Sequence, residues 1–356
     1  MSANVCASFL SLNTITNLND LEKLPTIKEI AKQLKISAST VSRALHDHPS
    51  IGLRTKTRVK DLAKQLNYEP NQTAIFFQQR KTFTIGVILP DLSEAFFSSA
   101  ISGIEDCAND HKYTVLLGQS HNDVEREKQI IETMKNHRVD GLLISISKNT
   151  SRFDDFKLLE KYNIPVVFFD RIPDLPGFHT VSCNMVSGTI QAINFLIQKG
   201  HRVIGMINGP EKLPASKDRL KGYLEALKKN RLKYDPALVV STLLTTESIY
   251  AAMDNLVHAK RKPTAIVAFN DYVALDAVQY ARKQKMKINK EICFVSYANL
   301  PISHYTAFPP LASVEQFPYQ QGQQAMEILL QLLNGKKDTN GSFHKVVLES
   351  QLIVHE

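Results

Sequence analysis

Apolar residues recur at helical spacing in three short stretches near the start of the chain, then in strand-like bursts over the remainder. Thr26-Ile27-Lys28-Glu29 has the form of a capping box, in which a threonine hydroxyl and a glutamate three residues on satisfy each other's backbone N–H groups. A helix is predicted from there to about Leu34. Ser37 is the next N-cap, followed by Val41, Ala44 and Leu45 at helical spacing, with Asp47-His48-Pro49-Ser50 closing this second helix. A third helix carries Val59, Leu62, Ala63 and Leu66 on one face and ends near Asn67-Tyr68-Glu69-Pro70. Three short helices around one small core are expected over residues 26–70. Residues 1–25 are polar, without sustained periodicity, and are expected to form a flexible extension.

From Thr82 the texture changes. Short runs rich in β-branched and aromatic residues appear at 84–89 (TIGVIL), 113–117 (YTVLL), 139–145 (VDGLLIS), 165–169 (PVVFF), 203–207 (VIGMI), 265–269 (AIVAF) and 292–297 (ICFVSY). Between most of them lie amphipathic segments long enough for helices: Val124–His137, Gly188–Lys199, Leu220–Lys229, Ser248–Ala259 and Asp271–Lys283. Repeated βα units imply mainly parallel sheets covered on both faces. A run of this length divides more naturally into two lobes than one. The expected partition is a linker over 71–82 and a core over 83–356, with one lobe at about 83–182 and 317–337 and the other at about 183–316 and 338–356.

The net charge of +8 is unevenly placed. Residues 26–82 hold eleven lysines and arginines against four acids, so nearly all the excess lies in the segment of three helices. Such concentration is the footprint of a module that docks on a polyanion. The four cysteines are far apart, with no paired metal or disulfide spacing, which fits a reducing compartment. No apolar run approaches a membrane span, and the first residues lack the basic region of an export signal. A cytoplasmic protein without membrane contact is expected.

A helix-turn-helix braces its first helix against DNA and points the start of its second into the major groove. The stretch from Ser37 to Leu45 suits that second helix: Ala38, Ser39 and Ser42 are small enough to approach bases or phosphates, and Arg43 has the forked donors that match guanine. The residues TIKEIAKQLKISASTVSRAL, followed by LNYEPN, resemble the lactose-repressor (LacI/GalR) family of bacterial regulators, and the resemblance covers about residues 26–356. It implies a small all-α helix-turn-helix domain plus an α/β two-lobed sensor similar to periplasmic sugar-binding proteins. It also implies a homodimer on near-palindromic, double-stranded operator DNA. By motif position, Ala38, Ser39 and Arg43 would read bases, while Thr26, Ser37, Thr40 and Ser42 would help hold phosphates. The family's hinge helix matches Asn71 to about Gln79, where Ala74 would permit close approach of two helices. Phe77 stands where relatives usually carry a leucine that wedges between base pairs. Gly52-Leu53-Arg54 departs from the serine and acids common in relatives, which predicts a weaker N-cap on the third helix.

In open α/β sheets, ligands bind beyond the carboxyl ends of the strands, where this chain places Asp91, Ser145, Asp170 and Asn270-Asp271. The resemblance assigns effector contacts to Asp170, Arg219 and Asn270, with Phe96 or Phe97 as an aromatic contact. A carboxylate, a guanidinium and an amide around aromatic rings suit a polyhydroxylated or small anionic ligand. Asp271 is also suited simply to cap the helix that follows it, and Phe97 to fill a core. Two positions depart from sugar-responsive relatives: Ser296-Tyr297-Ala298-Asn299 lacks an aspartate usual at the third place, and Cys183-Asn184 stands where Asp-Asn is frequent.

The expected function is that of a sequence-specific regulator of transcription, in the first instance a repressor, controlled by a small molecule such as a sugar or related metabolite. The alternatives are a nucleotide-dependent α/β enzyme and an exported sugar-binding receptor. Neither G-x-G-x-x-G nor G-x-x-x-x-G-K-[ST] occurs, and no catalytic or metal-spaced motif appears, so no enzyme activity, cofactor or metal is expected.

Overall fold

The computed structural model describes residues 25–69, 81–335 and 342–355, in two compact units divided between Arg80 and Lys81. The expected extension up to residue 24 and the hinge positions Asn71, Ala74 and Phe77 lie outside the described residues.

In the first unit, α1 (Ile27–Leu34), α2 (Ala38–Leu45) and α3 (Leu53–Gln65) pack around Ile30, Val41, Ala44 and Val59, with Leu45, Leu62 and Leu66 closing the edges. The capping box at the start of α1 is formed, with the Glu29 amide donating to Thr26 Oγ1 at 3.3 Å and the Thr26 amide to Glu29 Oε2 at 2.8 Å. Ser37 Oγ accepts from the Thr40 amide at 3.0 Å and so opens α2. Gly52 starts α3 with no side-chain cap and no acid follows in the first turn, as the departure in the sequence anticipates. Lys60 closes the intervening loop onto Asp47 at 2.7 Å, an exposed pair worth little by itself.

The second unit contains two six-stranded sheets. The first is built from β1 (Thr84–Leu89), β2 (Thr114–Gln119), β3 (Gly141–Ile144), β4 (Val166–Phe169), β5 (His179–Asn184) and β11 (Lys345–Glu349), in the order β11-β5-β4-β3-β1-β2, all parallel. Alternate residues face opposite cores. Ile85, Val87 and Leu89 point to α4 (Ala95–Asp110) and α11 (Pro318–Leu333), whereas Ile88 points to α5 (Val124–Asn136) and α6 (Asp154–Glu160).

The second sheet is built from β6 (Ile204–Asn208), β7 (Val239–Ser241), β8 (Ala265–Ala268), β9 (Cys293–Tyr297), β10 (Ala312–Glu315) and β12 (Gln351–Val354). Its order is β12-β10-β9-β8-β6-β7, with β12 antiparallel to β10. α7 (Met185–Gln198) and α8 (Pro214–Lys229) cover one face, and α9 (Thr246–Val257) and α10 (Asp271–Lys283) the other.

Among the described residues the chain crosses between lobes three times, after β5, β10 and β11. Asn184 Nδ2 donates to Glu349 Oε1 at 3.0 Å and Ser350 Oγ to the Asn184 carbonyl at 2.7 Å, tying two of the crossings together. The expected partition placed all of 338–356 in the second lobe. The strand Lys345–Glu349 instead pairs in parallel with β5 of the first, and only β12 belongs to the second. Its burial alternates exposed and half-buried, the pattern of an edge strand on either sheet, so nothing local specifies its partner.

α4 and α11 approach closely because Gly103 and Gly322 meet the other helix's backbone: a Cβ built on Gly103 would lie 2.1 Å from the Tyr319 carbonyl oxygen. Glycine to alanine normally favours a helix by about 1 kcal/mol. Here the sign reverses, and Gly103→Ala is expected to lower unfolding stability by about 1–3 kcal/mol in denaturant titrations; an unchanged or raised midpoint contradicts this packing.

Candidate functional site

On α2, the inner face is Val41 and Ala44, while Ser39 and Arg43 are exposed and Ala38, Thr40 and Ser42 half-buried. Ser37 Oγ lies 2.8 Å from both Ser39 Oγ and Thr40 Oγ1, so the cap also orients the two hydroxyls beside it. Among the described residues Arg43 has no ion-pair partner, which leaves its guanidinium free to meet an outside acceptor. Thr26, at the other helix start, is exposed.

In the second unit, a cavity of about 290 Å³ opens where the carboxyl ends of both sheets face each other. It gathers Phe96, Phe97, Asp170, Arg219 and Asn270. Phe96 and Phe97 meet edge-to-face at 5.3 Å, and Phe97, only 1% exposed, also belongs to the core under β1. Ser145 does not line the cavity. It is fully buried behind Asp170, donating to its Oδ2 at 3.3 Å and accepting weakly from the Arg171 amide at 3.4 Å.

Asp170 follows β4 with φ of 57°, the left-handed region that an aspartate tolerates better than most residues and that turns its carboxylate off the strand. Burial pushes this carboxyl above its ordinary value, opposed by the charges of Arg171 and Arg219 and by the Ser145 hydrogen bond. Arg171 stands 4.0 Å from Asp170, is held by Asn122 Oδ1 at 2.7 Å, and lies 5.7 Å from the Phe97 ring centre.

Arg219 is 4% exposed, with its guanidinium carbon 4.1 Å from the Phe269 ring centre and 4.4 Å from that of Tyr297. These faces offset part of the cost of burying its charge. Among the described residues its Nε and Nη1 have no hydrogen-bond acceptor. Buried donors of this kind are normally satisfied, so two left over on a side chain that lines the cavity favour an acceptor from outside.

Asn270, not Asp271, caps α10, its Oδ1 accepting from the Val273 amide at 2.9 Å. Asp271 is fully buried and accepts from Ser296, from Ser313 Oγ at 2.9 Å and from the Leu300 amide. It thereby braces the turn that carries Ala298 and Asn299 at φ of 89° and 47°. Asp91 stays outside the cavity and accepts from Ser93. Both departures from sugar-responsive relatives, Cys183 and Ala298, do line it, and burial pushes the Cys183 thiol up to about 12. The cavity also takes in residues that the sequence reading did not single out: Glu94, Arg171, Phe269 and Gln316. Arg171 and Phe269 adjoin Asp170 and Asn270, so a wider window at each strand end would have found them.

A helix-turn-helix with an unpaired arginine, together with two α/β lobes around a polar cleft, defines an effector-controlled DNA-binding regulator. Residues 26–71 match "Bacterial regulatory proteins, lacI family" and residues 82–348 match "Periplasmic binding proteins and sugar binding domain of LacI family". The chain is 32% identical over 323 residues to the HTH-type transcriptional repressor CytR of Escherichia coli K12, covering 90% of this chain and 93% of that one. It is 30% identical to the HTH-type transcriptional regulator RegA of Clostridium saccharobutylicum, covering 93% and 98%. A lac repressor dimer bound to operator shares the fold at a TM-score of 0.79 and 22% identity, over 93% of this chain and 98% of that one. The chain belongs to the LacI family of bacterial regulatory proteins. Among the described residues no helix is long and apolar enough to cross a membrane.

Because burial raises the Asp170 pKa, its charged form costs the ligand-free fold stability once the pH rises past the ordinary carboxylate range. The favourable contribution of the protonated form is present in acid and lost as pH climbs through the raised value. Asp170→Asn is therefore expected to melt higher than wild type at neutral pH, with the gap closing in acid. A lower melting temperature at neutral pH would show that the Arg171 and Arg219 charges outweigh burial.

Proposed function

We propose that this regulator is a cytoplasmic repressor without enzyme activity, binding a pseudo-palindromic operator as a homodimer and responding to a sugar-like effector held in the cleft between its lobes. The observation that carries the effector reading is Arg219, buried in the cleft with two donors unsatisfied, opposite Asp170 and beside Asn270. Phe96 and Phe97 supply an apolar wall, and Ser145 acts through Asp170 by orienting it.

On the DNA side, Ala38, Ser39 and Arg43 are assigned to base edges and Thr26, Ser37, Thr40 and Ser42 to phosphates. The exposure of Ser39 and Arg43 and the concentration of positive charge in residues 26–82 support this. Asn71, Ala74 and Phe77 are assigned from sequence to a minor-groove hinge, with Phe77 as the wedge. Dimerisation follows from need, since one small module reads too few base pairs for useful specificity.

Two variants test the reading together, by operator affinity with and without effector. Arg43→Ala is expected to cost about 1–3 kcal/mol on the operator and to relax preference at one base position per half-site. An equal loss on all sequences would make Arg43 a phosphate contact. Arg219→Met is expected to keep operator affinity while losing the effector response, because the two sites are separate and coupled. Loss of DNA binding with early melting would make Arg219 structural.

A further inference from the structure

A second cavity, of about 310 Å³, adjoins the first at the mouth of the cleft and shares Arg171, Ile172, Asp174, Leu213, Pro214 and Lys217 with it. Its walls come from both lobes. The first lobe contributes the loop after β3, with Ser147, Lys148 and Thr150, and the second contributes Lys212 and the start of α8. Four cations, Lys148, Arg171, Lys212 and Lys217, line it against one acid, Asp174. Glu94, Asp170 and Asp218 line only the deeper cavity. Asp174 lies 3.9 Å from Lys217, and among the described residues Lys148 and Lys212 have no ion-pair partner.

The Lys148 loop is held in place. Buried Glu127 accepts from the Ser147 amide at 2.6 Å, from Ser147 Oγ at 2.8 Å and from Thr150 Oγ1 at 2.6 Å, while the Lys148 amide reaches Asn122 Oδ1 at 3.3 Å. Across the cleft, α8 begins at Leu213 with no side-chain cap and no acid in its first turn. Its positive end therefore adds to Lys212 and Lys217 instead of offsetting them. Like charges on two lobes that share one cleft repel, and an anion between them removes the repulsion and draws the lobes together. The orphaned Arg219 donors below independently call for an acceptor-rich ligand in the connected cavity. Glu94, Asp170 and Asp218 in the first cavity repel an anion, which favours the lysine-rich second cavity for an anionic group.

We propose that the effector is a sugar carrying an anionic group, a phosphate or a carboxylate, with its polyol portion against Asp170, Arg219 and Asn270 and its anionic group between Lys148, Lys212 and Lys217. This rests on the reading of the cleft as the effector site and adds the chemistry that the mouth selects.

The test is thermal melting of the full chain with matched probes: glucose against glucose 6-phosphate and gluconate, ribose against ribose 5-phosphate, and inorganic phosphate against chloride at equal ionic strength. Each is repeated on Lys148→Glu/Lys212→Glu. Relieving the like-charge cluster should leave that variant melting at or above wild type in chloride, which controls for folding. At least one anionic sugar is expected to raise the wild-type midpoint by about 3 °C or more beyond its neutral parent. The double variant is expected to bind that probe about tenfold more weakly while its response to the neutral parent stays unchanged. Inorganic phosphate also stabilises proteins by exclusion, so only the part of its effect lost in the variant counts. If no anionic sugar exceeds its neutral parent and the phosphate effect survives in the variant, the proposal is overturned. A neutral sugar that stabilises wild type but not Arg219→Met would then leave the effector reading standing, whereas equal responses in wild type and Arg219→Met to every probe would remove both.

Discussion

A parallel sheet buried on both faces can meet a ligand only at its ends. Ile85, Val87 and Leu89 are committed to one core and Ile88 to another, so the middle of β1 has no side chain to spare for chemistry. Several residues that line the cavity therefore come just after the strands: Asp170 after β4, Asn270 after β8, Ala298 after β9. Joining two such sheets with their carboxyl ends facing concentrates these positions in one cleft. The three crossings are the covalent connections between the lobes among the described residues, the kind of place at which hinge motion changes the width of a cleft.

Within that cleft the dominant cost is electrostatic. Arg219 and Asp170 are charges in surroundings poor in water, and each influences the other's ionisation in the direction of keeping both charged. The aromatic faces of Phe269 and Tyr297 and the Ser145 hydroxyl moderate the cost without removing it. A ligand that supplies acceptors to Arg219 and a donor to Asp170 relieves more free energy than its own contacts suggest.

Much of this was legible in the chain. The helix at Asp271–Lys283 was read with its observed ends because apolar residues recur on one face, although its cap is Asn270 and not the Asp271 that the sequence offered. The capping box at Thr26 was read from local chemistry alone, and the weak start at Gly52 from its departure from the family pattern. What escaped was of two kinds. β5 and β7, polar or only three residues long, have no hydrophobic run to announce them, and α4 starts at Glu94 without a side-chain cap and with two phenylalanines that read equally well as strand. The partner of β11 is a different matter, fixed by contacts some 165 residues apart in sequence that no local pattern encodes. At the cavity, positions after strands were found, but the distinction between lining it and bracing it was not: Ser145 and Asp271 stand behind residues that line it.

The late return of the chain to the first lobe sets an order of assembly. The helix-turn-helix builds its core from residues between Ile27 and Tyr68 and can fold as soon as it leaves the ribosome. The sensor is not. Its first sheet waits for Lys345–Glu349 and its second for Gln351–Val354, so both lobes stay one edge strand short until synthesis reaches the last few residues described. During that interval the nascent protein holds a finished DNA-binding head ahead of an unfinished sensor. It also exposes strand edges at β5 and β10 to whatever else is being made nearby.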